Sequence, residues 1–218
     1  MPDLPDDSHI ADTRMSVDAL GSAPPRMDRD EVDLARAGEY GLLSNLLAEA
    51  PDSDLLAALA RLPGGATPLG SAHAALAQAA AATDAAAVER EYFDLFVGLG
   101  RGELLPYASY YLTGFLHERP LARIREDLAG LGVERDPQRS EPEDHLALLC
   151  EVMAGLAQGR FDATEAEQAR FFARHLRSWA EKFFADLEAA KSARFYRAVA
   201  GYGRAFLAIE GEAFTIAQ

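Results

Sequence analysis

Apolar residues recur at helical spacing along most of the chain, and no segment shows the sustained alternation of apolar and polar residues that a β-strand needs. A first helix is predicted to begin near Glu31 and end at Pro51, and Asp52 or Ser53 can cap a second helix. The same spacing predicts further helices over 71–82, 84–96, 120–131, 141–158, 164–187 and 189–209. The sequence therefore predicts an all-α fold, a single helical bundle of about ten helices.

Composition divides the chain into a short first segment and a long helical one. Residues 1–30 contain several prolines and acidic residues but few large apolar side chains, so we expect a flexible tail there. Residues 31–218 are predicted to form the helical domain, with candidate halves at 31–117 and 118–218. A hinge region would join these halves, which we expect to meet near residues 106–141.

The C-terminal part of the pattern contains an aromatic stripe at helical spacing. Such a stripe is by default part of a core. Its members are Phe171, Phe172, Leu176, Trp179, Phe183, Phe184, Leu187, Phe195, Tyr196 and Phe206. Cys150, the single cysteine, lies on an apolar helix face beside Leu149 and Met153, so we interpret it as a small buried hydrophobe.

Charge and apolar run length exclude several classes of partner. The formal net charge of -14 makes nucleic acid and anionic membrane surfaces improbable partners, because both require a basic face. No apolar run approaches the roughly 20 residues that cross a bilayer. The first residues are acidic and proline-containing where a secretory signal would be basic and then apolar, and a single cysteine fits a reducing compartment. We therefore expect a cytoplasmic protein.

Three glycines alternate in the segment 98–102, a pattern that raises the possibility of a phosphate-binding loop. Such loops follow a strand and precede a helix, whereas here a helix precedes the glycines and Pro106 soon follows them. We interpret the segment as a connector that ends a helix, with glycines in conformations that other residues avoid.

Aromatic side chains are concentrated in the segment 106–115. Tyr111 and Phe115 are four residues apart and fit a core face, whereas Tyr107 and Tyr110 lie on another face. A tyrosine offers a large apolar ring and a polar tip, so this second face suits an apolar peptide groove. A structural role and a binding role for these two tyrosines both remain open on the sequence alone.

The segment 140–145, Ser-Glu-Pro-Glu-Asp-His, has the features of a helix start. Ser140 and Glu143 have the spacing of a capping box, and carboxylates are stabilised at the positive end of a helix dipole. This alone would explain the residues. Glu141, Glu143 and Asp144 beside His145 at one exposed helix start would also bind an arginine through charge-assisted hydrogen bonds.

Catalytic and metal-binding patterns are weak along the chain. Glu141 and His145 can meet on one helix face, but no third ligand, no His-Glu-x-x-His motif and no second histidine at ligand spacing accompany them. A Gly-x-Ser-x-Gly turn is also absent. We therefore expect no enzymatic activity, no catalytic residues, no metal and no cofactor.

Taken in order, the motifs resemble those of the TorD/DmsD family of redox-enzyme maturation chaperones. The resemblance covers about residues 31–209 and is most specific where a Glu-Pro-x-Asp-His type motif follows a Leu-Phe-x-Gly motif. The matching elements are residues 92–98, Pro106 with Ser109, Tyr110 and Tyr111, residues 141–145 with Met153, and the series Phe171, His175, Leu176, Trp179, Phe183, Leu187, Phe195 and Tyr196.

This resemblance implies a cytoplasmic chaperone that binds the twin-arginine signal peptide of a molybdenum-cofactor oxidoreductase precursor until the cofactor is inserted. It assigns the binding to Pro106, Tyr107, Ser109, Tyr110, Asp144 and His145, to which the charge pattern adds Glu141 and Glu143. The implied client is a precursor of a formate dehydrogenase or a sulfoxide or amine-oxide reductase, with nitrate reductase as a further alternative. The segment 98–102 lacks the Gly-Pro often found in the family, and tyrosine stands at 107 where some members have tryptophan, so peptide preference can differ.

Two alternatives of other classes remain. The first is an enzyme or cofactor carrier that uses Glu141, Asp144 and His145 as ligands or acid-base groups. The second is a helical scaffold subunit that buries the aromatic stripe against a partner. A monomer and a domain-swapped dimer are both compatible with the helical pattern, and nothing in the residues supports nucleotide binding.

Overall fold

The computed structural model describes residues 31–133 and 141–216, and within these ranges no β-strand is formed, which confirms the all-α prediction. The predicted tail at 1–30, Ser140 and most of the predicted loop after Val133 lie outside the described residues. The described helices, in chain order, are α1 (Glu31–Ala48), α2 (Ser53–Leu59), α3 (Pro68–Ala81), α4 (Ala85–Tyr92), a π-helical turn (Phe93–Val97), α5 (Ala108–Thr113), α6 (Arg119–Gly130), α7 (Leu146–Ala157), α8 (Glu165–His175), α9 (Ala180–Ala189) and α10 (Phe195–Ile216).

Helix α7 lies at the centre of the bundle. Its apolar residues surround the whole helix, and nearly all of them are buried, as expected for a helix enclosed by others. Helix α1 packs along α7, while α10 packs on α3 and α9. Elements of both candidate halves therefore share one hydrophobic core. The division into halves itself stays a prediction.

Local side-chain caps mark four of the helix starts in the described residues. Asp52, Thr67, Asp84 and Thr164 each accept a hydrogen bond from a backbone N–H of the first turn of α2, α3, α4 and α8. The aromatic stripe is buried by the chain's own helices, which confirms its prediction as core, and Cys150 is buried as predicted. The scaffold alternative loses its basis, because the stripe is not exposed for a partner.

One predicted helix is interrupted. The single helix expected over 164–187 is wrong, since α8 ends at His175 and α9 begins at Ala180. Between them the buried Trp179 donates its indole N–H to the His175 carbonyl oxygen at 2.6 Å. A buried indole N–H needs an acceptor, and this bond uses a carbonyl at the end of α8.

The connector after the π-helical turn agrees with its prediction. Gly98 and Gly100 have φ angles of 62° and 94°, which glycine adopts without strain, and they follow the last helical residue, Val97. The prediction of a core position for Phe115 is wrong, because this side chain is 71% exposed after α5 ends. Across the described parts of the chain, none of the helices combines the length and the apolar character needed to span a membrane.

Candidate functional site

The two segments that the sequence singled out lie side by side. Tyr107 and His145 form an isolated antiparallel bridge. The Ala108 N–H donates to the Asp144 carbonyl oxygen at 3.0 Å, and the Leu146 N–H donates to the Pro106 carbonyl oxygen at 2.9 Å. The start of α5 and the start of α7 are thereby joined by backbone hydrogen bonds.

Asp144 is buried at this junction. Its Oδ2 atom accepts the backbone N–H of Ser109, at 2.8 Å, in the first turn of α5. The side chain of Tyr107, at the cap position of α5, accepts no hydrogen bond from the first turn of this helix. Asp144 thus takes the role of a helix cap from a distant part of the chain. Ser109 is buried as well, and its Oγ accepts the N–H of Glu118 at 3.2 Å.

His145 is the residue that caps α7. Its Nδ1 accepts the backbone N–H of Ala147 at 3.1 Å, so a neutral ring holds its proton on Nε2. Burial lowers the pKa of His145 to about 4, although the negative charges of Glu141 and Asp144 oppose this change. The imidazole is therefore neutral at neutral pH. Tyr107 packs edge-on against it, with ring centroids 5.0 Å apart.

Glu143 forms an ion pair with helix α6. Its Oε2 lies 2.9 Å from Nη2 and 3.0 Å from Nε of Arg125. The Glu143 side chain is 8% exposed, whereas that of Arg125 is 48% exposed. This carboxylate is therefore neutralised by a cation of the same chain.

Glu141 is the exposed carboxylate of the segment. It accepts a short hydrogen bond from the hydroxyl of Tyr107, which is half-buried. Burial and this bond raise the pKa of Tyr107. Burial also raises the pKa of Tyr92 to about 12, with further contributions from the charges of Glu141 and Glu49. Two carboxylates thus act electrostatically on the same tyrosine.

Tyr110 contacts a cation of the connector. Arg101 donates from Nη2 to the Tyr110 hydroxyl at 2.8 Å, and its guanidinium carbon lies 5.2 Å from the ring centroid. This distance is within the range of cation–π contacts. Exposed apolar side chains follow the tyrosine in the chain, namely Leu112, Phe115 and Leu116, and Leu99 is exposed in the connector.

The arrangement of the predicted site residues differs from the prediction in two respects, the start of α7 and the exposure of the carboxylates. Helix α7 begins at Leu146, so the expected helix start at 141 is wrong. The expectation of three exposed carboxylates is also wrong, because Asp144 and Glu143 are buried by partners on α5 and α6. Pro106, Tyr107 and Ser109 lie against residues 144–146, and Tyr110 follows Ser109 in the first turn of α5. The binding role of these residues stays a prediction.

Sequence reasoning missed Arg101 and Arg125. Arg101 was visible only as part of a glycine connector, and no local spacing relates Arg125 to Glu143. Asp144 and His145 are engaged by backbone N–H groups, an arrangement that favours structure over acid-base chemistry. Over 31–133 and 141–216, no group of three or more His, Cys, Asp or Glu side chains is placed to hold a metal ion.

Fold and site define an all-helical protein in which the starts of α5 and α7 are joined by hydrogen bonds. The family model of the nitrate reductase delta subunit matches residues 62–185, more than half of the chain, and the chain belongs to this family. That range contains both segments of the candidate site.

Curated relatives and a solved structure agree with this assignment. The chain is 29% identical to the chaperone protein TorD of Shewanella loihica over 215 residues, which are 87% of this chain and 97% of the relative. It is 31% identical to the chaperone protein TorD of Vibrio cholerae serotype O1 over 126 residues, 54% of this chain and 57% of the relative. The resemblance to the TorD/DmsD family is thereby confirmed. Since these relatives are named chaperones, a non-enzymatic role, the prediction that the chain is not an enzyme is confirmed with it.

The fold is also that of a protein provisionally described as a redox enzyme maturation protein from Archaeoglobus fulgidus. Its crystal structure matches with a TM-score of 0.56 at 21% identity, over 84% of this chain and 97% of that chain. This likeness supports the helical architecture.

Proposed function

We propose that this protein is a cytoplasmic chaperone that binds the twin-arginine signal peptide of a molybdenum-cofactor oxidoreductase precursor and holds the precursor before export. A signal of this kind has a basic start followed by an apolar, helix-prone segment. Its receptor needs a carboxylate and cation-binding aromatic rings next to an apolar surface. The observation that carries the proposal is that two tyrosines of the α5 segment make polar contacts, Tyr107 with Glu141 and Tyr110 with Arg101. The same segment continues into exposed apolar residues.

The cation half of the site is supported by two contacts. Glu141 is exposed and already accepts one hydrogen bond from Tyr107, and a carboxylate has acceptor positions for a guanidinium as well. Tyr110 already binds the guanidinium of Arg101, so its ring and hydroxyl accommodate an arginine. The net charge of -14 adds a diffuse field that attracts a basic leader.

The apolar half of the site is supported by exposure. Leu112, Phe115 and Leu116 follow Tyr110 directly, and all three are exposed. Clustered exposed apolar side chains at the end of a short helix are typical of interaction surfaces. An apolar segment that follows a basic start would meet this surface once the arginines of that start bind Glu141 and Tyr110.

The test is calorimetric titration with a synthetic twin-arginine signal peptide and with its Lys-Lys and Gln-Gln versions. We expect tighter binding of the Arg-Arg peptide, since guanidinium binds carboxylates in a bidentate manner and stacks on tyrosine. Glu141→Gln is expected to weaken this binding by about five- to tenfold, as expected for one partly exposed charge-assisted pair. Glu165→Gln removes an equal charge from the exposed start of α8 and serves as the matched control.

Arg101→Gln is expected to change the affinity in the opposite direction. It removes the chain's own cation from Tyr110, so we expect tighter peptide binding. Equal binding of the Arg-Arg and Gln-Gln peptides would refute the proposal. Metal uptake that His145→Ala abolishes, or equally tight binding of a folded client without its leader, would also contradict the proposal. Leaders of formate dehydrogenase, sulfoxide or amine-oxide reductase and nitrate reductase precursors, compared in the same titration, would assign the client.

A further inference from the structure

We infer that Asp144 is a positioning residue, which holds the α5 segment in place while Glu141 contacts the arginine of the peptide. This inference rests on the proposed function and deepens it, because the resemblance assigned Asp144 itself to the binding surface. The distinction follows from how the two carboxylates are buried and bonded.

Asp144 is not accessible to a peptide. It is 1% exposed, and its Oδ2 already accepts the N–H of Ser109 at 2.8 Å. Its carbonyl oxygen accepts the N–H of Ala108 at 3.0 Å. A guanidinium that reached this carboxylate would have to displace a backbone donor of α5, which would leave that buried N–H without its acceptor.

The adjacent Glu143 is fixed on the other side. Its bonds to Arg125 fasten the segment 141–145 to α6, while the Asp144 bonds fasten it to α5. A non-helical segment is thus held at two successive residues by two different helices. The consequence is that Glu141, which precedes them, is kept against the Tyr107 hydroxyl.

Loss of the Asp144 carboxylate would act on binding at a distance. The Ser109 N–H would lose its acceptor, and the first turn of α5 would loosen. Tyr107 and Tyr110 belong to this turn, so their placement relative to Glu141 would change. Affinity would fall although no charge in contact with the peptide has been removed.

The test measures peptide affinity against salt concentration for three variants. Glu141→Gln is expected to reduce the salt dependence of binding and the preference for Arg-Arg over Lys-Lys, because a contacting charge is lost. Asp144→Asn keeps an acceptor oxygen for Ser109, so we expect affinity within about twofold of the original, with unchanged salt dependence and preference. Asp144→Ala is expected to lose at least about tenfold in affinity, again with unchanged salt dependence.

Hydrogen exchange of residues 108–113 provides a readout without peptide. Asp144→Ala is expected to speed exchange there, while Asp144→Asn and Glu141→Gln are expected to leave it close to the original. Unchanged exchange in Asp144→Ala would overturn the positioning role. If Asp144→Ala does not fold, Asp144→Asn decides the matter, since a lowered salt dependence in that variant would make Asp144 a contact residue. If the unaltered protein does not bind the Arg-Arg peptide, the proposed function fails, and the assignment of contact to Glu141 fails with it.

Discussion

Protonation of His145 is expected to lower the free energy of unfolding in acid. Its Nδ1 accepts a hydrogen bond from the N–H of Ala147, at the positive end of α7. Protonation would place a second hydrogen between these two nitrogens and a positive charge at a positive helix end. Glu141 and Asp144 are the charged groups that oppose this effect, and burial outweighs them.

The sign and the size of the effect follow from linkage. The pKa of His145 is lowered in the folded protein, so its contribution to stability is complete above pH 6.5 and is lost as the pH falls toward 4. With a pKa of about 4 in the folded protein and 6.5 in the unfolded chain, the loss between about pH 7.5 and about pH 5 amounts to about 2 kcal/mol.

The assay is urea unfolding at both pH values for the original protein and for His145→Asn. Asparagine is a good helix cap and does not titrate, so we expect the variant to lose about 2 kcal/mol less than the original on acidification. His117→Asn is the control, because His117 is exposed and has a φ of 62°, which asparagine tolerates. Parallel losses in the original protein and in His145→Asn would refute the buried, neutral imidazole.

Further predictions concern the core and the last helix. The buried carboxylate of Glu91 accepts the backbone N–H groups of residues 194–196 at the start of α10. Glu91→Ala is therefore expected to lower the free energy of unfolding by about 3 kcal/mol. A loss below about 1 kcal/mol in urea unfolding would contradict this capping role. A Cβ at Gly203 would overlap the ring of Phe184, so Gly203→Ala is expected to destabilise the fold by about 1–3 kcal/mol. A Cβ at Gly201 meets open space, so Gly201→Ala is expected to stabilise the fold by about 0.5–1 kcal/mol. Equal melting temperatures of the two variants would refute this difference. Burial raises the pKa of Cys150, so its thiol is expected to react with a thiol reagent at least about tenfold more slowly in the folded protein than in urea, and equal rates would show an accessible thiol.

Local pattern was sufficient for the all-α fold class and for the aromatic core. Phe183 and Leu187 are buried because they belong to an apolar face that continues over several turns, and such a face has one stable location. The helix break before Ala180 was not predictable from spacing, since it accompanies an indole hydrogen bond that forms only after Trp179 is buried.

The candidate site shows where spacing fails. Ser140 and Glu143 have the local signature of a helix start, but Glu143 has its partner in α6, at Arg125. The carboxylate of Asp144 accepts a hydrogen bond from the N–H of Ser109, 35 residues away in the chain. Partners this distant depend on how helices pack, and the identities of neighbouring residues do not reveal them. The spacing therefore singled out residues 140–145 but did not predict which of their side chains are exposed.

The bridge between Tyr107 and His145 closes the intervening chain, including α6, into a loop. Helix α6 is held at its buried face by Leu121, Ile124 and Leu128. Forming the bridge costs the conformational entropy of closing this loop, and that cost grows with the length of flexible chain. Because α6 is packed on the core, less of the loop is flexible, and the cost is smaller. The proposed peptide surface would therefore depend for its order on a helix that need not touch the peptide. Substitutions in α6 would then change affinity without altering a contact residue.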